Sequence, residues 1–145
     1  MNFFTNTVST RAAAATVALI LNAALALAEG NLASKPVDLP ELKLTGDLKM
    51  SQTEYQLETG KYYRIDITSD GEEEFAWMSP ELFRNAWVNQ VVVNELEVKA
   101  ADIYSLEFDA AGTFNLTFVP LRPGRYEFYV DGYADKGMLG AFIVN

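Results

Sequence analysis

The chain has 145 residues, half of them apolar and 21% charged, the balance of one ordinary globular domain. It holds no cysteine and no histidine, which excludes disulfides, thiol nucleophiles, haem attachment, histidine-based catalysis and every His- or Cys-ligated metal. Eleven basic residues against twenty acidic ones give a net charge of −9, so no nucleic-acid partner is expected, and cations or basic protein patches are.

In chain order, residues 1–28 read as a signal peptide. Arg11 closes a short polar start, and residues 12–28 are apolar apart from Thr16 and Asn22. The stretch ends on Ala26-Leu27-Ala28, the small-x-small pattern that signal peptidase accepts, followed by Glu29. It is short of the ~20 residues of a membrane span, and no Cys follows it to carry a lipid. Cleavage after Ala28 and no membrane insertion afterwards are expected. A domain of the remaining size buries a core without disulfide staples.

Residues 29–41, with Pro36 and Pro40, read as an extended leader, and 42–145 as one domain. Period-two alternation marks strands: Tyr63, Ile65 and Ile67 alternate with polar residues, as do Phe114, Leu116 and Phe118, and Tyr126, Phe128 and Val130. Further strands are expected over 42–48, 55–57, 88–93, 106–108 and 138–144. Gly- and Pro-bearing turns separate them, among them Ser69-Asp70-Gly71 and Pro123-Gly124. One segment predicts a helix, with Ser79 as N-cap, Pro80 at the first helical position and Glu81 in the first turn. Short strands at close spacing predict an all-β two-sheet sandwich with one short helix.

The C-terminal third is more specific. Phe118-Val119-Pro120-Leu121-Arg122-Pro123-Gly124-Arg125-Tyr126-Glu127-Phe128-Tyr129-Val130 resembles the cupredoxin pattern F-x-P-x-x-P-G-x-Y-x-F-x-C, and Gly137-Met138-Leu139-Gly140 resembles the G-M-x-G that follows it in plastocyanin-like proteins. The resemblance implies a cupredoxin-like Greek-key sandwich, strong over 113–145 and weak before. It also implies what has been lost. Where the family places its Cys this chain has Val130, and where it places the following His, Tyr133; the Met is present as Met138. The early His position, counted from the Ser69-Asp70-Gly71 turn, falls on Glu74, give or take a residue. Residues 80–99 match no ligand motif and look like an insertion of this subgroup.

A His₂Cys set with a weak axial Met is what tunes copper for electron transfer, and one thioether cannot hold copper against water, so a type 1 copper site is excluded. Two readings of the pole remain open. In one, Glu74 and Tyr133, with Met138 nearby, form a carboxylate, phenolate and thioether site for iron or copper uptake or carriage; oxygen donors suit ferric iron. In the other, Val130, Tyr133 and Met138 are packing and no cofactor is present. Catalysis has no His or Cys to use and no nucleophile motif, so no enzyme is expected. Phe83, Arg84 and Trp87 are residue types enriched at interfaces and mark a candidate interaction surface; equally, Phe83 and Trp87, four apart, can form one inward helix face. The reading that results is an exported, acidic, non-catalytic accessory protein of the periplasm, the compartment being implied by the family resemblance. It is linked to metal handling or electron transfer, with a basic or metal-handling partner protein.

Overall fold

Alternation of side chains resolves into two sheets. The computed structural model describes residues 34–145; the signal-peptide reading lies outside the described residues. In chain order the elements are β1 (Val37–Asp38), β2 (Leu42–Thr45), β3 (Lys49–Met50), β4 (Glu54–Leu57), β5 (Tyr63–Ser69), β6 (Phe75–Met78), α1 (Pro80–Arg84), β7 (Ala86–Val93), β8 (Leu96–Val98), β9 (Leu106–Phe108), β10 (Gly112–Pro120), β11 (Gly124–Val130), a 3₁₀ turn at Ala134–Lys136, and β12 (Leu139–Val144). The larger sheet runs β3-β2-β5-β10-β7-β8, with β1 also on β5; the smaller runs β4-β12-β11-β6-β9. They face each other as a Greek-key sandwich, the architecture expected from the sequence.

The end of the leader belongs to this sheet. Val37 and Asp38 lie parallel to Tyr63 and Arg64, and after Pro40 the chain continues along the same edge, Leu42 to Leu44 beside Ile67 to Ser69. A proline at the joint fits, because it donates no ladder hydrogen bond.

Between the sheets runs a connected set of rings. Phe142 meets Phe128 at 4.9 Å, Tyr55 at 5.3 Å and Phe118 at 6.0 Å between centroids, and Phe128 meets Trp77 at 6.1 Å. Each comes from an inward position of a different strand, as period-two alternation requires. The Pro-Gly-x-Tyr motif has a structural purpose here: Tyr126 Oη donates to the Arg122 carbonyl at 2.9 Å and fixes the corner leading into β11.

The structure departs from sequence expectation in the segment 80–99. The segment that matches no ligand motif is nonetheless integral to the larger sheet: β7 pairs with β10 from Ala86 to Val92. The helix occupies its expected place but ends at Arg84, so Trp87 lies on a strand and shares no helix face with Phe83. Ser79 sits at the N-cap position without capping; its Oγ donates to the Glu127 carbonyl at 2.9 Å, tying the helix to β11. Strands β3, β6 and β8 were not among the expected strands: β3 has two residues, β6 follows three glutamates that mask where its alternation begins, and β8 alternates only Leu96 and Val98 about Glu97.

Gly140 pairs with Phe128 across β11 and β12, and a Cβ there would lie 2.3 Å from the Phe128 ring and 2.6 Å from the Thr53 carbonyl oxygen. Backbone on one side and a core ring on the other leave no room to yield. Gly140→Ala is expected to cost about 1–3 kcal/mol, as overpacking does. Urea unfolding of the two proteins measures this, and equal midpoints would mean that the strands part more easily than drawn.

Tyr55 is buried, and its hydroxyl donates to the Pro40 carbonyl at 3.0 Å. Burial pushes its ionisation well above the usual phenol range. A folded-state pKa above the unfolded one gives stability that is complete below the unfolded pKa of about 10 and declines as pH rises past it. Tyr55→Phe should therefore cost about 1 kcal/mol at neutral pH through the lost hydrogen bond, and this deficit should shrink above pH ~10 because only the parent protein has that phenol to ionise. Chemical unfolding across pH 7–11 tests the sign.

Candidate functional site

The pole read from the sequence is assembled by two turns. In the first, the Ser69-Asp70-Gly71 turn, Ser69 Oγ accepts from the Gly71 amide at 3.1 Å, and Asp70 accepts from the amides of Glu72 at 3.1 Å and Gly46 at 3.0 Å. Gly71 has φ +77°, and a Cβ there would lie 2.2 Å from the Ala111 amide nitrogen, so only glycine fits. The chain leaves this turn through three exposed glutamates and enters β6 at Phe75.

The second turn joins β11 to β12. The Val130 amide donates to the Met138 carbonyl at 3.0 Å, the Tyr133 amide to the Val130 carbonyl at 3.0 Å, and the Met138 amide to the Tyr133 carbonyl at 3.2 Å. Gly137, at φ +97°, closes the 3₁₀ turn. The two turns are joined where the Asp131 amide donates to the Ala76 carbonyl at 2.9 Å, beside the Val130–Trp77 pair of β11 and β6. The loop is thus fixed by its own backbone.

Within it, Val130 and Met138 are wholly buried and belong to the continuous core. Tyr133 is half-buried; Phe75 meets its ring edge-on at 5.9 Å between centroids, and the Lys136 ammonium lies 4.8 Å from its centroid. Glu74 reaches this pole on its solvent side. It shares with Glu72, Glu73, Asp109 and Tyr133 a surface depression of about 530 Å³. Of the sequence-read residues, then, Val130, Tyr133 and Met138 converge from one loop, and Glu74 joins only Tyr133. The side chain turned inward from the early turn is Phe75, one residue on. Alternation with buried Trp77 is the signal that identifies it, since inward residues of a strand recur at spacing two. Among the described residues no three acidic side chains are grouped so as to hold a metal ion.

The candidate interaction residues do not form one surface. Phe83 is buried, its ring edge-on to Trp77 at 6.1 Å. Arg84 is exposed and paired with Glu81 one turn back. Trp87 is exposed on β7, beyond the end of the helix. Phe83 is therefore a core residue that packs the helix against the smaller sheet, and only Arg84 and Trp87 remain available at the surface.

No family model matches the chain, and no curated protein matches it. Solved structures do share its fold. A multicopper oxidase from Pediococcus acidilactici superposes with a TM-score of 0.59 at 7% identity, over 77% of this chain and 27% of that one. A multicopper oxidase from Campylobacter jejuni, described as a metallo-oxidase, gives 0.54 at 10%, over 77% and 30%. The copper nitrite reductase of Nitrosomonas europaea gives 0.52 at 15%, over 62% and 32%. The chain spans less than a third of each of these copper proteins, and at such identities the likeness establishes the fold alone. That fold is cupredoxin-like.

The geometry makes a sharp engineering prediction. Val130→Cys, Tyr133→His and Phe75→His together place a thiolate and two imidazoles around Met138, the donor set of a type 1 copper centre. Cys replaces Val at little cost, whereas two desolvated imidazoles destabilise the apoprotein until metal binds. Cupric ion should turn this variant intensely coloured and raise its melting temperature. The same variant with Glu74→His in place of Phe75→His should stay pale, because residue 74 points to solvent. Absorption spectra under copper titration decide between the two registers.

Proposed function

We propose that this is an exported accessory protein of cupredoxin-like fold that acts by contact with another periplasmic protein, in a metal-handling or electron-transfer system, without carrying a copper centre or a catalytic site. The observation that carries the reading is the filling of the pole. Val130 and Met138 are wholly buried in hydrocarbon surroundings, and Phe75 closes on Tyr133 from the core side. A pole held by packing and by its own backbone hydrogen bonds needs no ion for its shape. Export is supported by the pattern of residues 12–28. A non-catalytic role is supported by a sequence with neither His nor Cys, whose only general bases would be carboxylates and tyrosines.

A second reading, a carrier of hard cations such as ferric iron, would draw carboxylate and phenolate donors from the depression shared by Glu72, Glu73, Glu74, Asp109 and Tyr133, although its carboxylates are not grouped as a ready-made metal site. Met138 takes no part in it, being sealed in the core.

The two readings separate in one experiment. The protein, expressed with its own N-terminus and purified, is incubated with cupric, cuprous and ferric ions, desalted and analysed for metal, and its melting temperature is recorded throughout. A ligand at 100 times its Kd stabilises by about 2.7 kcal/mol, a shift of several degrees in a domain of this size. The accessory reading expects no retained metal and no shift. Stoichiometric ferric ion with a visible phenolate band that Tyr133→Phe abolishes would replace it with the carrier reading. Photo-cross-linking in cells from exposed positions supplies the positive arm: discrete adducts to one exported protein are expected, and their absence at every face would sink the accessory role.

A further inference from the structure

The two sheets are unequal, and the difference is concentrated at one edge. Strands β7 and β8 form a hairpin whose turn residues, Asn94 and Glu95, both adopt left-handed φ values, +47° and +67°. Its register sets Val91 beside Val98 and Val93 beside Leu96. Val91 also lies opposite Leu116, a fully buried residue of β10, so this face of the hairpin continues the inner, core-facing side of the larger sheet.

The smaller sheet ends at β9 and does not cover it. The loop after β8 plugs part of the space with Ile103, which is buried. Beyond that plug the apolar surface is open: Leu96 is 71% exposed, Val98 50% and the nearby Tyr104 78%. Between them lies a groove of about 350 Å³ lined by Val91, Val93, Val98, Tyr104, Leu106 and Phe114. Phe114 is held there edge-on to Phe108 at 4.7 Å. Isolated exposed apolar residues are ordinary; a groove continuous with the core beside a terminal strand is not. β8 ends the strand order of its sheet, so one edge of its backbone has no strand partner among the described residues.

Charge says what fits. Asp102 lines the groove, and Glu107 and Asp109 line its continuation past Phe114. None of the three has an ion-pair partner among the described residues, whereas Lys99, the basic residue of this edge, is already engaged with Glu97 and Gln90. A second copy would bring the same acidic rim on a chain of net charge −9, and like charges would meet across the joint. The chain's own residues 1–33 carry a single basic residue, Arg11, and so cannot match the rim either. The complement is a cationic segment from another protein.

We propose that the free edge of β8 and the adjoining groove are a docking site for an extended, lysine- or arginine-rich strand of a partner protein, which adds to the larger sheet beside β8. Main-chain hydrogen bonds to β8 hold the strand; the central side chains of its inward face are apolar and enter the groove, and basic side chains at the two ends of that same face reach Asp102, Glu107 and Asp109. This rests on the reading that the protein acts by contact, and it names the surface and the chemistry of the partner.

The probe is a synthetic peptide of eight residues, Lys-Ser-Val-Ser-Val-Ser-Lys-Ser, whose valines and lysines share one face of a strand; it is compared with a valine–glutamate peptide, in which glutamate replaces lysine, and a serine–lysine peptide, in which serine replaces valine. Binding is read by fluorescence anisotropy and by amide shifts in ¹⁵N-labelled protein. The valine–lysine peptide alone is expected to bind, with shifts confined to residues 91–98 and 102–109 and affinity falling as salt screens the rim. Asp102→Asn, Glu107→Gln and Asp109→Asn together should weaken it about tenfold. Val98→Lys, at a half-exposed site, should abolish it while leaving the melting temperature of the protein unchanged. Equal binding of the serine–lysine peptide, or shifts centred on Glu72 to Glu74, would overturn the groove as the site. A dimer in sedimentation that Val98→Lys disperses would overturn the cationic occupant in favour of a second copy. Failure here and failure of the accessory reading look different. A peptide that does not bind while cross-links form from another face removes only the groove. Bound metal at the pole removes the accessory reading and leaves the peptide result standing.

Discussion

The interaction on which the rest of the structure depends is the contact between the two sheets through Phe142. Its ring touches Tyr55, Phe118 and Phe128, which belong to β4, β10 and β11, and through Phe128 it connects to Trp77 of β6. A domain of this size with no cysteine has no disulfide to hold its sheets together, and truncating one buried ring of this kind costs about 3–5 kcal/mol, a large part of a typical domain's stability. The close approach of Gly140 to Phe128 follows from the same packing. The strand carrying Phe142 must pass directly over its neighbour's ring, and only a residue without a side chain can stand there.

That core also explains how a cupredoxin-like pole keeps its shape with a valine where the resemblance places a thiolate. The loop from Val130 to Met138 is closed by five backbone hydrogen bonds among its own residues and tied to β6 by another, from Asp131 to Ala76. None of these uses a ligand side chain. Val130 and Met138 extend the hydrocarbon interior to the end of the sandwich, and the edge-on contact of Phe75 with Tyr133 finishes it. The backbone geometry of this pole therefore stands without any ligand side chain.

Much of this was legible in the sequence because strong signals were local. The Phe118 to Val130 motif carries its own turn, its own corner hydrogen bond from Tyr126 and seven residues of alternation, so β10, β11 and the loop after them could be placed residue by residue. The early turn was legible as a turn, but the strand after it was not. Three glutamates hide the point at which alternation begins, and β6 is only four residues long. A register uncertain by one residue is enough to exchange solvent-facing Glu74 for core-facing Phe75. Phe83 and Trp87 show the opposite error. Their spacing of four is meaningful only on a helix, and the helix stops at Arg84, where Asn85 turns its amide back to the Leu82 carbonyl. The hairpin of β7 and β8 gave no turn signal because its turn is Asn-Glu, with a glutamate in the left-handed conformation that glycine more often occupies.

The acidity of the chain and the open edge of β8 make sense together. A terminal strand with valine and leucine on its inner side, next to an uncovered groove, is the kind of edge that invites pairing with another copy. Sheets usually blunt such edges with charge, and here Glu95, Glu97, Asp102 and Glu107 surround it while a lone lysine is tied to Glu97. Negative charge of this density works selectively. Between copies of the chain it adds repulsion to every approach that would stack edge on edge, and at moderate salt that repulsion acts within about a Debye length of 8–10 Å, the range over which strands first meet. Toward a cationic strand the same field is attractive and raises the encounter rate. In the proposed docking the charge that opposes a second copy is thereby the charge that favours a cationic strand, and specificity comes as much from the disfavoured partner as from the favoured one.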